Sequence, residues 1–403
     1  MNGLVISWFY PPATTAEALV TFKLLKNSQN RYDVISANSR QWSYGADTVL
    51  KSGNINTYPI ESSSFKTFIK KGFTLFGKLS GENKYDFMMS RSMPQQSHSL
   101  GLKIKHKNPS LFWIASLADP FGHNPYDFDR YFKQGVSFML KHLPLTVFRI
   151  FIYLKNELFE RKVLQNADLL IFPSIEQCRY TCKKRYEKLK DHILILPHSY
   201  DSGLYPPDVC NEITDDDGKV VLSHLGHLND TRSAEGLIKA VALFKKECPE
   251  LCEKLVVRLV GNIPEKQKLM IQDNGLSNII IEKAVNYFES LKIMKNSDML
   301  LLIDADFSFM KNNIYFASKL ADYMGADKPI LGLTSAEGPS ASILKAAGCP
   351  ICFPDEPEKI AEILKSITRN GPPPFNREVY KTYDAKEIAN KFDEAIVIAK
   401  KSK

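Results

Sequence analysis

The sequence has no run of about 18 uninterrupted apolar residues, the length a membrane-crossing helix needs. Its start, MNGLVISWFYPP, passes straight into strand-like sequence without a basic region and cleavage site, so no leader is expected and the chain is read as cytoplasmic. Cysteine is sparse and odd in number, seven at positions 178, 182, 210, 248, 252, 349 and 352, so reduced thiols are the default. Cys178/Cys182 and Cys248/Cys252 have helical i, i+4 spacing and Cys349-Pro-Ile-Cys352 has CxxC spacing, but no His or Cys partner stands at matching distance, so no metal site is expected. The three glycines of a dinucleotide fingerprint are missing after the first strand-like run, which argues against a Rossmann cofactor site there. No solenoid-length repeat occurs, and the basic residues are spread with no recognition module among them, so nucleic acid is not an expected partner.

What is present is a chain of 403 residues, too long for one ordinary core, with 44% hydrophobic and 24% charged residues, as two soluble globular domains would have. A net charge of +8 suits phosphorylated ligands, an anionic membrane surface or nucleic acid without choosing among them. Short apolar runs alternate with longer amphipathic ones. LVISWFY (4–10), YDVISA (32–37), YDFMMS (85–90), SLFWIASL (110–117), DLLIFPS (168–174) and ILILPH (193–198) read as buried parallel strands, with helices over AEALVTFKLLKN (16–27) and 94–107. The polar stretch 199–219, with two adjacent prolines and three consecutive aspartates, reads as a linker. The rhythm then resumes: strands 220–226, 254–262, 278–285, 298–306 and 329–334, with helices 233–247, 287–297 and one ending near Ala347. The pattern predicts an α/β protein with Rossmann-like, doubly wound domains at 1–198 and 220–375 and a closing helix at 376–403.

The segment 119–164 alternates aromatic and aliphatic residues with Lys and Arg. Its middle, 132–159, is either a basic amphipathic surface for an anionic membrane or a helix pair packed on the N-terminal domain, and Pro144 breaks the helix in either case.

Ligands of open α/β sheets sit beyond the carboxyl ends of the strands, so four loops are informative. WFYPPATTAEA (8–18) brings Tyr10, Thr14 and Thr15 ahead of a helix. SRSMPQQSHSLG (90–101) places Arg91, Gln95 and His98 at a turn, Arg91 as an anion contact or a merely solvated cation. SLADPFGHNPY (116–126) offers Asp119 and His123 as acid/base groups, although Asp119 before Pro120 also suits a plain turn. SHLGHLNDTRSAEG (223–236) ends a strand at Gly226, where a ligand can approach bare backbone, and carries Arg232; Arg232 with Lys319 would clamp a diphosphate, unless Arg232 is only a surface residue.

SHLGHLNDTR, a βαβ series and then SKLADYMGADKPILGLT resemble the donor-binding half of family 4-type glycosyltransferases of the GT-B fold, in which the sequence runs close to K-L-x-E-Y-x-x-x-x-K-P-I-L. WFYPP, SRSMP with His98, WIASLADPFGHNPY, NADLLIFPS and LPHSYD extend the resemblance over nearly the whole chain. It implies two Rossmann-like domains facing across a cleft, and transfer of a sugar, with retention, from a nucleotide-diphosphate-sugar to a glycan or lipid-linked acceptor in surface polysaccharide synthesis, at the inner face of the membrane. It implies no cofactor and no metal. Lys319 would lie near the donor phosphates and Asp322 at the ribose; Gly226, His227, Thr334, Ser335, Gly338 and Ser340 complete the donor side. Arg232, Lys319 and Asp119 are the expected catalytic groups, and Tyr10, Thr14, Arg91, His98 and His123 the acceptor side. Two positions depart from the pattern: Ile314 stands where the family has an acid, and His227 where it has Arg. Asp304-Ala305-Asp306 invites a metal reading, with donor-sugar contact as its rival. A nucleotide-sugar epimerase and a catalytically silent glycan- or nucleotide-binding subunit are the competing functions, and the oligomeric state is open.

Overall fold

The computed structural model describes residues 1–37, 50–62, 64–132, 134–207, 218–307 and 309–402, apart from the side chains of 128–130 and 132. The chain forms two units, Met1–Ser199 with Ala385–Lys403, and Tyr200–Asp384.

The first unit has seven strands, β1 Asn2–Ser7, β2 Arg31–Ala37, β3 Ile55–Ile60, β4 Phe87–Arg91, β5 Phe112–Ser116, β6 Leu169–Phe172 and β7 Ile193–Ile195. They pair in parallel in the order β3-β2-β1-β4-β5-β6-β7. The second unit has β8 Val220–Leu225, β9 Leu255–Val260, β10 Ile279–Glu282, β11 Met299–Ile303, β12 Ile330–Leu333 and β13 Ile351–Cys352, parallel in the order β10-β9-β8-β11-β12-β13. Both sheets are doubly wound, and the strand order reverses between β1 and β4 in one and between β8 and β11 in the other. Helices cover both faces, so strands such as MLLLI in β11 are apolar at every position and buried throughout. In the second unit Leu222, Val257, Leu301 and Leu333 pack on one face of the sheet, Leu300, Leu302, Leu320 and Tyr323 on the other.

The expected helix at 16–27 is observed as Ala16–Asn27, opened by the Thr15 hydroxyl accepting from the Ala18 amide. The strand Ile55–Ile60 and the helices Phe65–Glu82 and Pro357–Asn370 were not anticipated. The boundaries also differ. Residues 200–205 of the supposed linker are packed: the Tyr200 N–H donates to the Tyr383 carbonyl, and the Tyr205 hydroxyl donates to the Asp322 carbonyl at 2.6 Å. Residues 208–217 lie outside the described residues. The tail is not one closing helix. Arg377–Lys381 belongs to the second unit, while Ala385–Lys401 joins the first, where the Asp393 carboxylate accepts from Ser28, Gln29 and Asn30.

Pro144 does not break a helix. It sits in the first turn of Leu143–Asn166, where a missing N–H costs nothing, and the bend of 104° falls before it, after helix Gly135–Lys141. Nor does this pair bury its apolar face: Val136, Leu140 and Phe151 are 67%, 67% and 62% exposed. No single described helix is long and apolar enough to cross a membrane.

Candidate functional site

Three neighbouring strands of the second unit, β8, β11 and β12, end at Gly226, Asp304 and Thr334. Gly226 has φ of +128°, and a Cβ there would fall 2.5 Å from the Lys319 Nζ, so only glycine lets the amine lie against this backbone. Lys319 sits in the first turn of helix Ser318–Gly325. Arg232 reaches the same place from a loop organised by Asn229, whose side-chain oxygen accepts from the Thr231 and Arg232 amides; the Thr231 carbonyl in turn takes the Asp306 N–H. The Arg232 charge is felt at Lys319, Asp304 and His224, which sets it near this group of residues.

The electrostatics join these groups. Burial, with Arg232 adding to it and Asp304 opposing, brings the Lys319 ammonium down to about 7. His224, at the end of β8, is held well below its ordinary value by burial and then by Lys319, and its ring bonds to the Leu301 carbonyl at 2.9 Å. Burial pushes the Asp304 carboxyl up, opposed by the nearby Ser340 and by the Thr334 hydroxyl, which donates to it at 2.8 Å. Two cations share one buried acid, an arrangement short of negative charge and suited to an anion.

Asp304 is 3% exposed and points inward to its hydroxyl donors, whereas Asp306 is exposed, so the two do not form a chelating pair. Beside them lies a pocket of about 210 Å³ lined by Asp306, Lys311, Asn313, Thr334, Ser335 and Asp355 among others. Lys311 and Asp355 were missed because they sit in irregular loops with no motif around them. The Ser335 hydroxyl is already engaged, accepting from the Asn313 amide and donating to the Glu337 carbonyl. Gly338 caps helix Pro339–Ala346, which brings the buried Ser340 toward Asp304. The exposed His227 accepts the Asn262 amide at 3.2 Å. Asp322 shares the Lys319 helix, but its carboxylate takes the Tyr287 hydroxyl at 3.0 Å. Ile314 is buried, 7% exposed.

In the first unit Arg91, at the end of β4, is buried; it donates to Ser116 at the end of β5 and stands 3.5 Å from Glu17. Glu17 was missed although the loop before it was singled out. Burial pushes its carboxyl up to about 7, helped by Asp119 and opposed by Arg91, so Asp119 does belong to this cluster. His198, also unanticipated, is lowered to about 3 by burial and by Arg91 and Lys23.

Of the expected acceptor-side residues, Tyr10 and His98 are buried, while Thr14 and His123 are half-buried. Tyr10 is 2% exposed and its ring packs edge-on to Phe22. Thr14 is half-buried, and the neighbouring Thr15 is spent as the helix cap. His98 is fully buried between Ser90, 2.7 Å from its Nδ1, and the Phe121 ring; burial and then Arg91 take it down to about 3, which removes it as a titrating group near neutrality. His123 is tied to Glu157 at 2.5 Å and packs edge-on to Tyr153, and Glu157 also holds Lys183.

The Glu17 environment gives a stability test. Its folded pKa lies above the ordinary 4.5, so its contribution is full below 4.5 and is lost as pH rises toward about 7. Glu17→Gln is expected to flatten the fall of the melting temperature across that window and to leave the variant the more stable protein at pH 8. A parallel decline in both proteins would refute the assignment.

No protein-family model matches the chain, and a search of curated proteins finds no relative. Solved structures do match over the whole chain. Anabaena HepE in complex with UDP and glucose is 14% identical, with a TM-score of 0.62, over 100% of this chain and 98% of that one. Sucrose-phosphate synthase from Thermosynechococcus elongatus is 13% identical, with a TM-score of 0.67, over 100% of both chains. A putative UDP-N-acetylglucosamine 2-epimerase from Listeria monocytogenes is 12% identical, with a TM-score of 0.60, over 100% and 97%. The fold of this chain is that of the GT-B glycosyltransferases, two doubly wound α/β domains.

Proposed function

We propose that this protein is a nucleotide-sugar-dependent glycosyltransferase, acting in the cytoplasm and transferring a sugar with retention to a glycan or lipid-linked acceptor in surface polysaccharide synthesis. The observation that carries the reading is Lys319 lying against the bare backbone of Gly226, within the field of Arg232, at the point where the strand order reverses, a concentration of positive charge suited to a diphosphate. The neighbouring HepE structure holds UDP and glucose, which supports a nucleotide-sugar as donor. The bond from the sugar's anomeric carbon to the diphosphate breaks as the acceptor oxygen bonds to that carbon, and the acceptor's proton leaves with a phosphate oxygen. The two cations neutralise the charge that gathers on the leaving diphosphate. The pocket beside Asp306 and Lys311 is assigned to the sugar, and the Arg91, Glu17 and Asp119 cluster to the acceptor. No metal or organic cofactor enters this scheme.

A panel of UDP, GDP, dTDP, CDP and ADP in a thermal-shift assay tests the donor seat, with nucleoside diphosphate release in the presence of acceptor testing transfer. One nucleotide is expected to raise the melting temperature by an amount set by RT ln(1 + [L]/Kd). No shift at millimolar concentration removes the donor site. A shift without any turnover favours a silent nucleotide-binding subunit, a reading motivated by the buried Ile314 in place of an acid and by Asp322 being held by Tyr287.

The lowered Lys319 adds a pH signature. Free Lys319 is mostly neutral at pH 8 and a bound diphosphate restores its charge, so binding takes up close to one proton per nucleotide. Affinity is expected to fall above pH 7, by at most about tenfold per pH unit. Calorimetry in buffers of different ionisation enthalpy measures the uptake. A buffer-independent enthalpy at pH 8 contradicts the assignment.

A further inference from the structure

Of the 22 exposed large apolar side chains among the described residues, 11 lie in one stretch, Val136 to Leu158, on the bent pair Gly135–Lys141 and Leu143–Asn166. On the longer helix the exposed apolar residues Leu143, Leu145, Val147, Phe148, Ile150, Phe151, Ile152, Leu154 and Leu158 cover a broad face, an arc of roughly 220° at about 100° per residue. A face that is much wider than the roughly 100° stripe one packed neighbour covers suits an apolar medium around the helix better than one flat protein face. The charges point the same way. Residues 135–156 contain Lys141, Arg149 and Lys155 and no Asp or Glu. The acids that follow are turned to the body of the unit, Glu157 to His123 and Lys183, and the buried Glu160 to the Phe121 amide.

We infer that this helix pair seats the first unit in one leaflet of an anionic lipid bilayer, with the apolar side chains among the acyl chains and the cations at the phosphate headgroups. A second copy of the chain is the poorer occupant, because a two-fold contact through this patch would set Lys141, Arg149 and Lys155 against themselves with no acid to answer them. No single described helix is long and apolar enough to cross a membrane; this pair meets that length and composition only together, across its bend of 104°. The inference is independent of the transferase reading, since vesicle binding is read without donor or acceptor.

The test is flotation of the full chain with phosphatidylcholine vesicles, with and without phosphatidylglycerol, alongside size-exclusion chromatography. The parent is expected to float with anionic vesicles and to be partly released by high salt, as screened charges require. A variant with Phe148→Ser, Phe151→Ser and Leu154→Ser, all exposed, is expected to keep its melting temperature and lose binding at least tenfold. A second, with Lys141→Glu, Arg149→Glu and Lys155→Glu, is expected to lose the preference for anionic lipid. The inference is overturned by a parent that stays with the solvent at every composition, by equal flotation of parent and serine variant, or by a parent dimer that the serine variant converts to monomer.

Discussion

Lys319→Met is expected to lower kcat/KM for sugar transfer by roughly 10²–10³-fold, the usual consequence of removing one group that stabilises developing negative charge, while raising the melting temperature of the free protein at pH 6. The two effects have one cause. Lys319 is held near Arg232 with burial as the dominant influence, and its pKa drops from 10.5 to about 7. Below pH 7 folded and unfolded chains both carry the charge, and the folded chain bears the full cost of holding it there. As pH rises from 7 toward 10.5 the folded site sheds its proton while the unfolded chain keeps it, so stability rises with pH. Methionine fills much of the same space without charge, so its advantage is largest at pH 6 and fades toward pH 10. For a half-buried group the gain is on the order of 2 kcal/mol, a shift of several degrees. A variant with parental turnover, or one less stable than the parent at pH 6, sinks the assignment of Lys319 to the anion seat.

Gly236→Ala is expected to destabilise the second unit by about 3 kcal/mol or more, reversing the sign such a change has in an ordinary helix. Gly236 lies in the first turn of helix Glu235–Glu247, and a Cβ there would overlap the Pro354 carbonyl oxygen. That oxygen is backbone, so relief requires moving the loop that leads into helix Pro357–Asn370, and Pro354 and Asp355 of this loop line the pocket beside Asp306. Gly77 is the control: it is helical, and a Cβ added there would meet nothing within 4 Å, so Gly77→Ala is expected to stabilise by about 1 kcal/mol. Urea unfolding followed by circular dichroism at 222 nm separates them; the three tryptophans, Trp8, Trp42 and Trp113, all precede Tyr200, where the second unit begins, and report less directly on it. If both substitutions shift the midpoint in the same direction, the close contact at Gly236 does not exist in solution.

Much of this protein was legible locally. Helix Ala16–Asn27 and strand Met299–Ile303 follow from apolar spacing and from turn residues at their ends, signals carried within about ten residues of chain. Gly226 and Lys319 were legible because a strand end and a helix start are where ligands of such sheets sit. The split of the tail at Ala385 was not, since the Asp393 carboxylate meets Ser28 and Asn30 across more than 360 residues of chain. The mixed polar and apolar sequence of Ile55–Ile60 escaped because its exposed positions blur the strand pattern.

The sequence alone determined the α/β class, the approximate sizes of two doubly wound domains and the presence of cations and a glycine at strand ends, because hydrophobic period and turn chemistry are short-range properties. The tertiary structure decided which of those groups have work available to them. It buried Tyr10 and His98, turned Asp304 inward and Asp306 outward, set Glu17 beside Arg91, and left the helix pair around Phe151 exposed. Burial and charge environment are sums over neighbours brought together from distant parts of the chain, and no local pattern encodes that sum.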